Sequence, residues 1–276
     1  MAAHSTKLVN RYTKLSDLMN TCVTLTQSTG PTVRKVQASG SLGTFQKGQS
    51  KMDVCTEADL RIQKTLSHNL KALFPRARVI CEEDDQIHET IAPSLQPDQV
   101  LKLNKRQGLF TPEILSISAK LRREKYARYL NDLLEVNPGA FSQASDLQRG
   151  VETLSSGFQN EVKEEDLTFW VDPLDGSSGL AEGHTEHLTS IIGVAVQERP
   201  LLGVVHKPFA GQGTAKTFVG LPESGLFTIS TSSREGASGS TIASYETPFS
   251  SRQEDPRVCA SHNANQKLMD RIIYSL

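Results

Sequence analysis

Residues 167–177 combine a strand-forming run with two aspartates, and they read Leu-Thr-Phe-Trp-Val-Asp-Pro-Leu-Asp-Gly-Ser. The first five residues are apolar, aromatic or β-branched, which favours a β-strand over residues 167–171. Asp-Pro and Asp-Gly are common turn formers, so we expect the strand to stop before Asp172 and a turn to follow it through Gly176. Asp172 and Asp175 would then lie at one edge of a sheet.

Two further acidic clusters stand at the ends of predicted elements. Thr56-Glu57-Ala58-Asp59 lies at the head of a helix predicted over residues 58–74, where apolar residues recur at helical spacing until Pro75. Glu82-Glu83-Asp84-Asp85 directly follows a strand predicted over residues 78–81. Carboxylates at strand ends converge on one sheet edge, and hard divalent cations prefer such oxygen ligands. Because no Cys or His pair accompanies these acids, the pattern favours Mg²⁺ over Zn²⁺.

Each acidic cluster also has a purely structural interpretation. Asp172 and Asp175 can act as turn formers, the run at residues 82–85 as a solvated loop, and Asp59 as a helix-capping acid. The functional interpretation depends on the three clusters occurring together, in this order and with these flanks. In addition, Gly176 and the residue after it would place backbone N–H groups at a helix N-terminus, which favours a phosphate.

The rest of the sequence predicts a mixed α/β chain. We expect an amphipathic helix within the first 25 residues, where apolar side chains such as Leu8 and Tyr12 recur at helical spacing. Strands at residues 189–196 and 201–206 have a short connection that suggests a hairpin. The Ser-, Thr- and Gly-rich stretch at residues 230–253 is interpreted as a loop.

These features suggest two domains. Residues 1–229 form a metal- and phosphate-binding domain, and residues 230–276 form a linker and the start of a second domain. Within the first domain, residues 86–160 are interrupted by prolines and are interpreted as an insertion or cap, with one helix over about residues 112–136.

Composition excludes several classes of function. The 276 residues are 37% hydrophobic and 22% charged, and 30 Lys and Arg balance 31 Asp and Glu. A net charge of −1 provides no basic field for nucleic-acid binding, and no apolar stretch approaches the about 20 residues that a membrane span needs. The four cysteines form no CxxC motif, which indicates reduced thiols in the cytoplasm. An organellar transit peptide is the less favoured alternative for the N-terminus.

The acidic motifs resemble a known family. Glu82-Glu83-Asp84 after a hydrophobic strand, followed by Trp-Val-Asp-Pro-Leu-Asp-Gly-Ser at residues 170–177, resembles the signature of the lithium-sensitive, Mg²⁺-dependent phosphomonoesterases of the inositol monophosphatase superfamily. Ala181-Glu182-Gly183 and the segment at residues 203–209 resemble most closely its 3'(2'),5'-bisphosphate nucleotidases. The likeness covers residues 1–85 and 165–275, and it implies the layered α-β-α-β-α sugar-phosphatase fold with an incomplete second domain.

The resemblance implies a role for each matching residue. The implied metal ligands are Glu82, Asp172, Asp175 and the main-chain carbonyl of Leu174. Asp59 matches the acid that partners the catalytic hydroxyl, and Ser177 matches that hydroxyl, where the family usually has Thr; either side chain supplies one hydroxyl. The implied substrate-binding residues are Gly176, Ser177, Cys259 and His262, the last two at positions where nucleotidases contact the nucleotide.

The implied activity is Mg²⁺-dependent hydrolysis of the 3'-phosphate of adenosine 3',5'-bisphosphate, a small phosphorylated nucleotide. Because the metal site is shared across the superfamily, an inositol monophosphate or polyphosphate is the alternative substrate. The chain lacks the Lys and the Trp-Asp motif that follow later in the family, so we expect a truncated form with severely impaired turnover. A product that binds metal or nucleotide without catalysis, or that partners a full-length copy, is the alternative from another functional class.

Overall fold

The structure is a computed structural model, and among the residues that it describes it contains six α-helices, one 3-10 helix (Glu164–Asp166) and eleven strands. It describes residues 11–39, 43, 45–46, 54–83, 91–120, 124, 161–181, 184–211, 213–221, 225–232 and 240–246. The helices are α1 (Leu15–Gln27), α2 (Thr29–Ala38), α3 (Glu57–Leu73), α4 (Pro97–Gln107), α5 (112–120) and α6 (Ser177–Ala181). The strands are β1 (Tyr12–Lys14), β2 (Phe45–Gln46), β3 (Val54–Cys55), β4 (Arg78–Cys81), β5 (Glu161–Lys163), β6 (Leu167–Asp175), β7 (Thr189–Val196), β8 (Arg199–Gly211), β9 (Thr214–Leu221), β10 (Gly225–Ser232) and β11 (Ser240–Glu246).

Seven strands form the principal sheet, in the order β11-β10-β9-β8-β7-β6-β4. Strands β6 to β11 follow one another as antiparallel neighbours, whereas β4 pairs with β6 in parallel. A parallel pair needs a long crossover connection, and here the chain between residues 81 and 167 supplies it. This mixed α/β architecture confirms the predicted fold class.

The core lies between the helices and one face of the sheet. Helix α1 packs against β7 and β8, and α3 packs against β6. Fully buried side chains come from both layers: Leu18, Met19, Leu66, Leu70, Phe169, Ile192 and Val204. The rings of Phe74 and Phe169 lie 5.2 Å apart, so the end of α3 is tied to strand β6. Successive residues of a strand face opposite sides, and Trp170 is accordingly 55% exposed.

Residues 91–120 join this core. Val100 of α4 and Leu115 of α5 are buried in it. The Asn20 amide of α1 donates to the Phe110 carbonyl at 2.8 Å and accepts from the Phe110 and Leu109 amides at 3.0 and 2.9 Å. The Phe110 ring meets Phe227 edge-on at 5.2 Å. The described part of the predicted insertion or cap therefore contributes side chains to this core.

Several predicted elements are confirmed. The helix predicted over residues 58–74 is α3, the strand at residues 78–81 is β4, and the predicted hairpin is β7 with β8. Cys22, Cys55 and Cys81 are not joined to one another by disulfide bonds. None of the helices that the structure describes combines the length and apolar character needed to cross a bilayer.

The N-terminal helix begins later than the periodicity predicts. Residues Tyr12–Lys14 form strand β1 and pair with Glu161–Lys163, and α1 starts at Leu15. The Arg11 guanidinium lies 2.7 Å from the buried Glu164 carboxylate, and the Glu164 amide donates to the Arg11 carbonyl at 2.9 Å. These contacts with a distant segment hold residues 11–14 extended.

The loop predicted over residues 230–253 is wrong for residues 230–232 and 240–246, which belong to β10 and β11. Composition misled because Ser and Thr are frequent in loops, whereas the backbone of residues 240–246 pairs antiparallel with β10, with Ile242 opposite Ile229. The sheet thus continues across the boundary that we placed between residues 229 and 230. The division into two domains itself stays a prediction.

Replacing Phe169 should test the interface between α3 and the sheet. We expect Phe169→Ala to lower the free energy of unfolding by about 3–5 kcal/mol, because it removes a fully buried ring and leaves a cavity. The neighbouring Trp170→Ala is the matched control and should cost less than about 1 kcal/mol, since its side chain is exposed. Urea unfolding followed by circular dichroism measures both, and equal losses would contradict this packing arrangement.

Candidate active site

The parallel pairing of β4 with β6 brings two predicted metal ligands to one edge of the sheet. Cys81 is paired with Val171, and the Glu82 amide continues the ladder by donating to the Val171 carbonyl at 3.1 Å. Glu82 and Asp172 therefore follow paired residues at the carboxyl ends of adjacent strands. The expected convergence of acids at this edge is found for both of them.

A β-bulge shapes the segment that carries the two aspartates. Asp172 is opposite Ile191 and Asp175 is opposite Thr189, so Pro173 and Leu174 together face the single residue Ser190. Proline has no N–H for the ladder and is found at such irregular positions. The turn predicted at residues 172–176 is thus a bulge within β6, which continues to Asp175. Bulges re-aim side chains next to active sites.

Ser190 fixes the bulge from the neighbouring strand. Its side chain is fully buried, and its hydroxyl donates to the Pro173 carbonyl at 2.7 Å. The same hydroxyl lies 3.1 Å from that of Thr29 in α2. On the exposed side, the Asp175 carboxylate lies 3.5 Å from the Thr189 hydroxyl. The Asp-Pro-Leu-Asp segment is therefore attached to both the sheet and the helical layer.

Ser177 begins α6 directly after a glycine in a left-handed conformation. Gly176 has φ of +83°, which L-residues with a side chain rarely adopt. This backbone turns the chain out of β6 and into α6, where Ser177 is 8% exposed. Helix α6 packs next to β3, which immediately precedes the start of α3. The predicted catalytic hydroxyl thus lies on an element that packs beside the segment carrying Asp59.

Asp59 lies in the first turn of α3 and is 1% exposed. Its Oδ2 accepts hydrogen bonds from the Thr56 amide at 2.8 Å and from the Thr56 hydroxyl at 2.5 Å. The helix-capping interpretation of this acid is therefore correct. Its carboxylate also lies within 4.8 Å of the Cys55 thiol and of a Glu83 carboxylate oxygen. Asp59 thus faces the acidic edge while it caps its own helix.

The acids perturb one another strongly. Burial, the charge of Glu82 and a hydrogen bond with it, and then the charges of Asp175 and Asp59 together raise the pKa of Asp172 from 3.8 to about 7. The four predicted acidic site residues therefore act on one another at a single place. A proton relieves this repulsion, and a cation would relieve it as well.

The residues fit a divalent cation. Among the residues that the structure describes, Oδ1 of Asp172 is a buried oxygen with no hydrogen-bond partner. Glu82, Asp172 and Asp175 supply carboxylate oxygens, the ligand type of hard cations. Leu174 lies between the two aspartates in the bulge. Cys259 and His262, the predicted nucleotide contacts, lie outside the described residues.

Sequence reasoning missed two neutral residues that hold the site together, Ser190 and Gln63. Gln63 is fully buried on α3, and its amide binds the main chain of Glu83. Its spacing of one helical turn from Asp59 was the available signal, since residues four apart share a helix face. Ser190 carried no comparable signal, because its role depends on the bulge opposite it.

Part of this chain is similar in sequence to a known family. The profile of the inositol monophosphatase family matches residues 141–269. The 3'(2'),5'-bisphosphate nucleotidase 1 of Mus musculus is 25% identical over 205 residues, or 73% of this chain and 50% of the relative. The putative inositol monophosphatase 3 of Drosophila pseudoobscura pseudoobscura is 28% identical over 209 residues, or 75% of this chain and 44% of the relative.

Alignments with solved structures cover similar shares of the two chains. The extragenic suppressor protein suhB from Bartonella henselae has a TM-score of 0.44 and 16% identity, and the alignment covers 76% of this chain and 51% of that one. The chain spans about half the length of the curated relatives that it matches.

In metal-free protein, we expect stability to fall as the pH rises from about 4 to about 8. The folded state keeps the Asp172 proton up to a pKa of about 7, whereas the unfolded chain releases it near 3.8, so raising the pH withdraws this stabilisation. Solvent screening limits the effect to about 1–2 kcal/mol. Asp172→Asn should remove this part of the pH dependence in urea unfolding with EDTA at pH 5 and pH 8. If the free energy of unfolding changed with pH in the same way in the variant and in the wild type, the pH dependence could not be assigned to Asp172.

Gly176→Ala should destabilise the domain by about 1–2 kcal/mol, because the alanine Cβ is strained at this positive φ. The Cβ would also lie 3.4 Å from the His187 carbonyl oxygen. Gly203→Ala is the matched control, since no heavy atom lies within 4 Å of the added Cβ. Thermal unfolding should show a lower melting temperature for Gly176→Ala alone. An equal effect of the two substitutions would mean that the left-handed turn is not required.

Proposed function

We propose that the domain is a Mg²⁺-dependent phosphomonoesterase that removes the 3'-phosphate of adenosine 3',5'-bisphosphate. The observation that carries this proposal is the electrostatic convergence of Glu82, Asp175 and Asp59 on Asp172, beside the segment that carries Ser177. Relatives named 3'(2'),5'-bisphosphate nucleotidase 1, at 24–26% identity, support the choice of substrate. Since the chain spans about half of those relatives, their activity is carried over as part of the proposal.

The cation would be held by the carboxylates of Glu82, Asp172 and Asp175 and by the main-chain carbonyl of Leu174. When bound, Mg²⁺ lowers the pKa of a water molecule and neutralises charge on the phosphate. The parallel strand pairing holds Glu82 beside Asp172, and the bulge sets the spacing between Asp172 and Asp175. In the absence of the cation, Asp172 takes up a proton near neutral pH instead.

Ser177 and Asp59 would prepare the attacking water. The Ser177 hydroxyl accepts a hydrogen bond from the water and passes its own proton towards the Asp59 carboxylate. Thr56 fixes Oδ2 of Asp59 through two hydrogen bonds, which orients the carboxylate. The water oxygen bonds to phosphorus, the bond from phosphorus to the 3'-oxygen breaks, and the leaving 3'-oxygen takes up, by way of solvent, the proton that Asp59 received. Backbone N–H groups after Gly176 would bind the phosphate, and Cys259 and His262 would contact the nucleotide.

Hydrolysis of an inositol phosphate is the second candidate. Relatives named inositol monophosphatase 3 are 25–28% identical over 71–75% of this chain, a likeness as strong as that to the nucleotidases. The acidic edge serves either substrate equally, because it binds the cation and the phosphate rather than the rest of the molecule. In this proposal, the residues that determine specificity for a nucleotide or for an inositol phosphate lie away from the acidic edge.

Phosphate release with Mg²⁺ tests the proposal on adenosine 3',5'-bisphosphate and on inositol monophosphate. We expect faster phosphate release from the nucleotide. In Asp172→Asn the rate should fall at least about a hundredfold, because removing a metal ligand raises the activation free energy by several kcal/mol. Asp166→Asn is the matched control, because Asp166 precedes β6 at its opposite end and accepts from Gln197. That variant should retain the wild-type rate.

The other outcomes separate the alternatives. Faster release from inositol monophosphate would replace the nucleotidase assignment by the inositol phosphatase assignment. No release from either substrate by a protein that still binds the cation would favour the non-catalytic alternative. An equal loss of the phosphate-release rate in Asp172→Asn and Asp166→Asn would contradict the proposed location of the site.

A further inference from the structure

Gln63 makes a paired contact with the main chain next to the acidic edge. Its Nε2 donates to the Glu83 carbonyl at 2.8 Å, and its Oε1 accepts from the Glu83 amide at 2.9 Å. The side-chain amide thus binds Glu83 as a neighbouring strand would, with one donor and one acceptor. Gln63 is fully buried, so water does not compete for these bonds.

This contact joins two acids that come from different elements. Asp59 precedes Gln63 by one turn of α3 and lies on the same helix face. Glu82 directly precedes Glu83 and is tied to β6 through its own amide. Gln63 therefore links the helix that carries one acid to the strand end that carries the other.

The link between α3 and the end of β4 opposes electrostatic repulsion between the acids that these two elements carry. The carboxylates of Asp59, Glu82, Asp172 and Asp175 repel one another, and this repulsion would drive α3 away from the end of β4. A neutral amide resists the separation without adding a positive charge, which would oppose the binding of a cation. Groups that orient metal ligands from behind commonly contribute a factor of about 10–100 to metal affinity.

We propose that Gln63 is a positioning residue that holds α3 and the Glu82 strand end at the spacing required for a divalent cation. The inference depends on the proposed function, because it assumes that the acidic edge binds a cation. In this role Gln63 binds neither the cation nor the substrate, and it acts through the main chain of Glu83.

The test is the affinity of the purified chain for Mn²⁺, a hard divalent ion whose free form gives an electron paramagnetic resonance signal. Gln63→Met keeps the length of the side chain but loses both hydrogen bonds, and the dissociation constant should rise about 10–100-fold. Gln63→Asn keeps the amide but is one methylene shorter, and it should show a smaller increase.

Asn20→Leu is the matched control. Asn20 is also a buried helical amide that binds main-chain groups, those of Leu109 and Phe110, but on α1 rather than α3. We expect it to lower the melting temperature as Gln63→Met does, and to leave the Mn²⁺ dissociation constant within about twofold of wild type. If the role of Gln63 were purely structural, Gln63→Met and Asn20→Leu would change the Mn²⁺ dissociation constant to a similar extent.

The outcomes distinguish this inference from the proposed function. Wild-type protein that binds no Mn²⁺ would overturn both. Wild-type binding with unchanged affinity in Gln63→Met would overturn the role of Gln63 alone. Equal weakening in Gln63→Met and Asn20→Leu, or loss of folding in both Gln63 variants, would show that Gln63 supports the fold in general and would likewise overturn it.

Discussion

The parallel pairing of β4 with β6 is the contact on which the candidate site depends. Both strands run in the same direction, so their carboxyl ends meet at one edge, and Glu82 and Asp172 follow paired residues there. A slip of one residue would turn each side chain to the other face of the sheet and would separate the two acids. The antiparallel meander of β6 to β11 provides the broad surface against which α1 and α3 pack.

Bringing these carboxylates together costs free energy, and neutral hydrogen bonds offset part of it. Thr56 fixes Asp59, Ser190 fixes the bulge between the aspartates, and Gln63 fixes the strand end after Glu82. None of these three side chains carries a charge, so they restrain the acids without neutralising them. The uncompensated negative charge at this edge favours the binding of a proton or a cation. The raised pKa of Asp172 reflects this, because it means that Asp172 takes up a proton more readily.

The helical layer includes residues 91–120. Asn20 and Phe110 attach residues 91–120 to α1 and, through Phe227, to β10. Residues far apart in the chain therefore share one core with the strands that carry the site. A substitution in α4 or α5 can consequently affect the stability of the sheet, although neither helix lies among the predicted site residues.

The sequence alone was sufficient for α3, β4 and the β7–β8 hairpin, and for the acids that meet at the sheet edge. These features have local causes: the spacing of apolar residues, the preferences of β-branched side chains, and acids at the ends of elements. The tertiary structure decided the bulge at Pro173, the strands at Tyr12–Lys14 and Ser240–Glu246, and the parts played by Gln63 and Ser190. Each of these depends on a partner distant in the chain or on a neighbouring strand, and no local pattern specifies which partner the folded chain will supply.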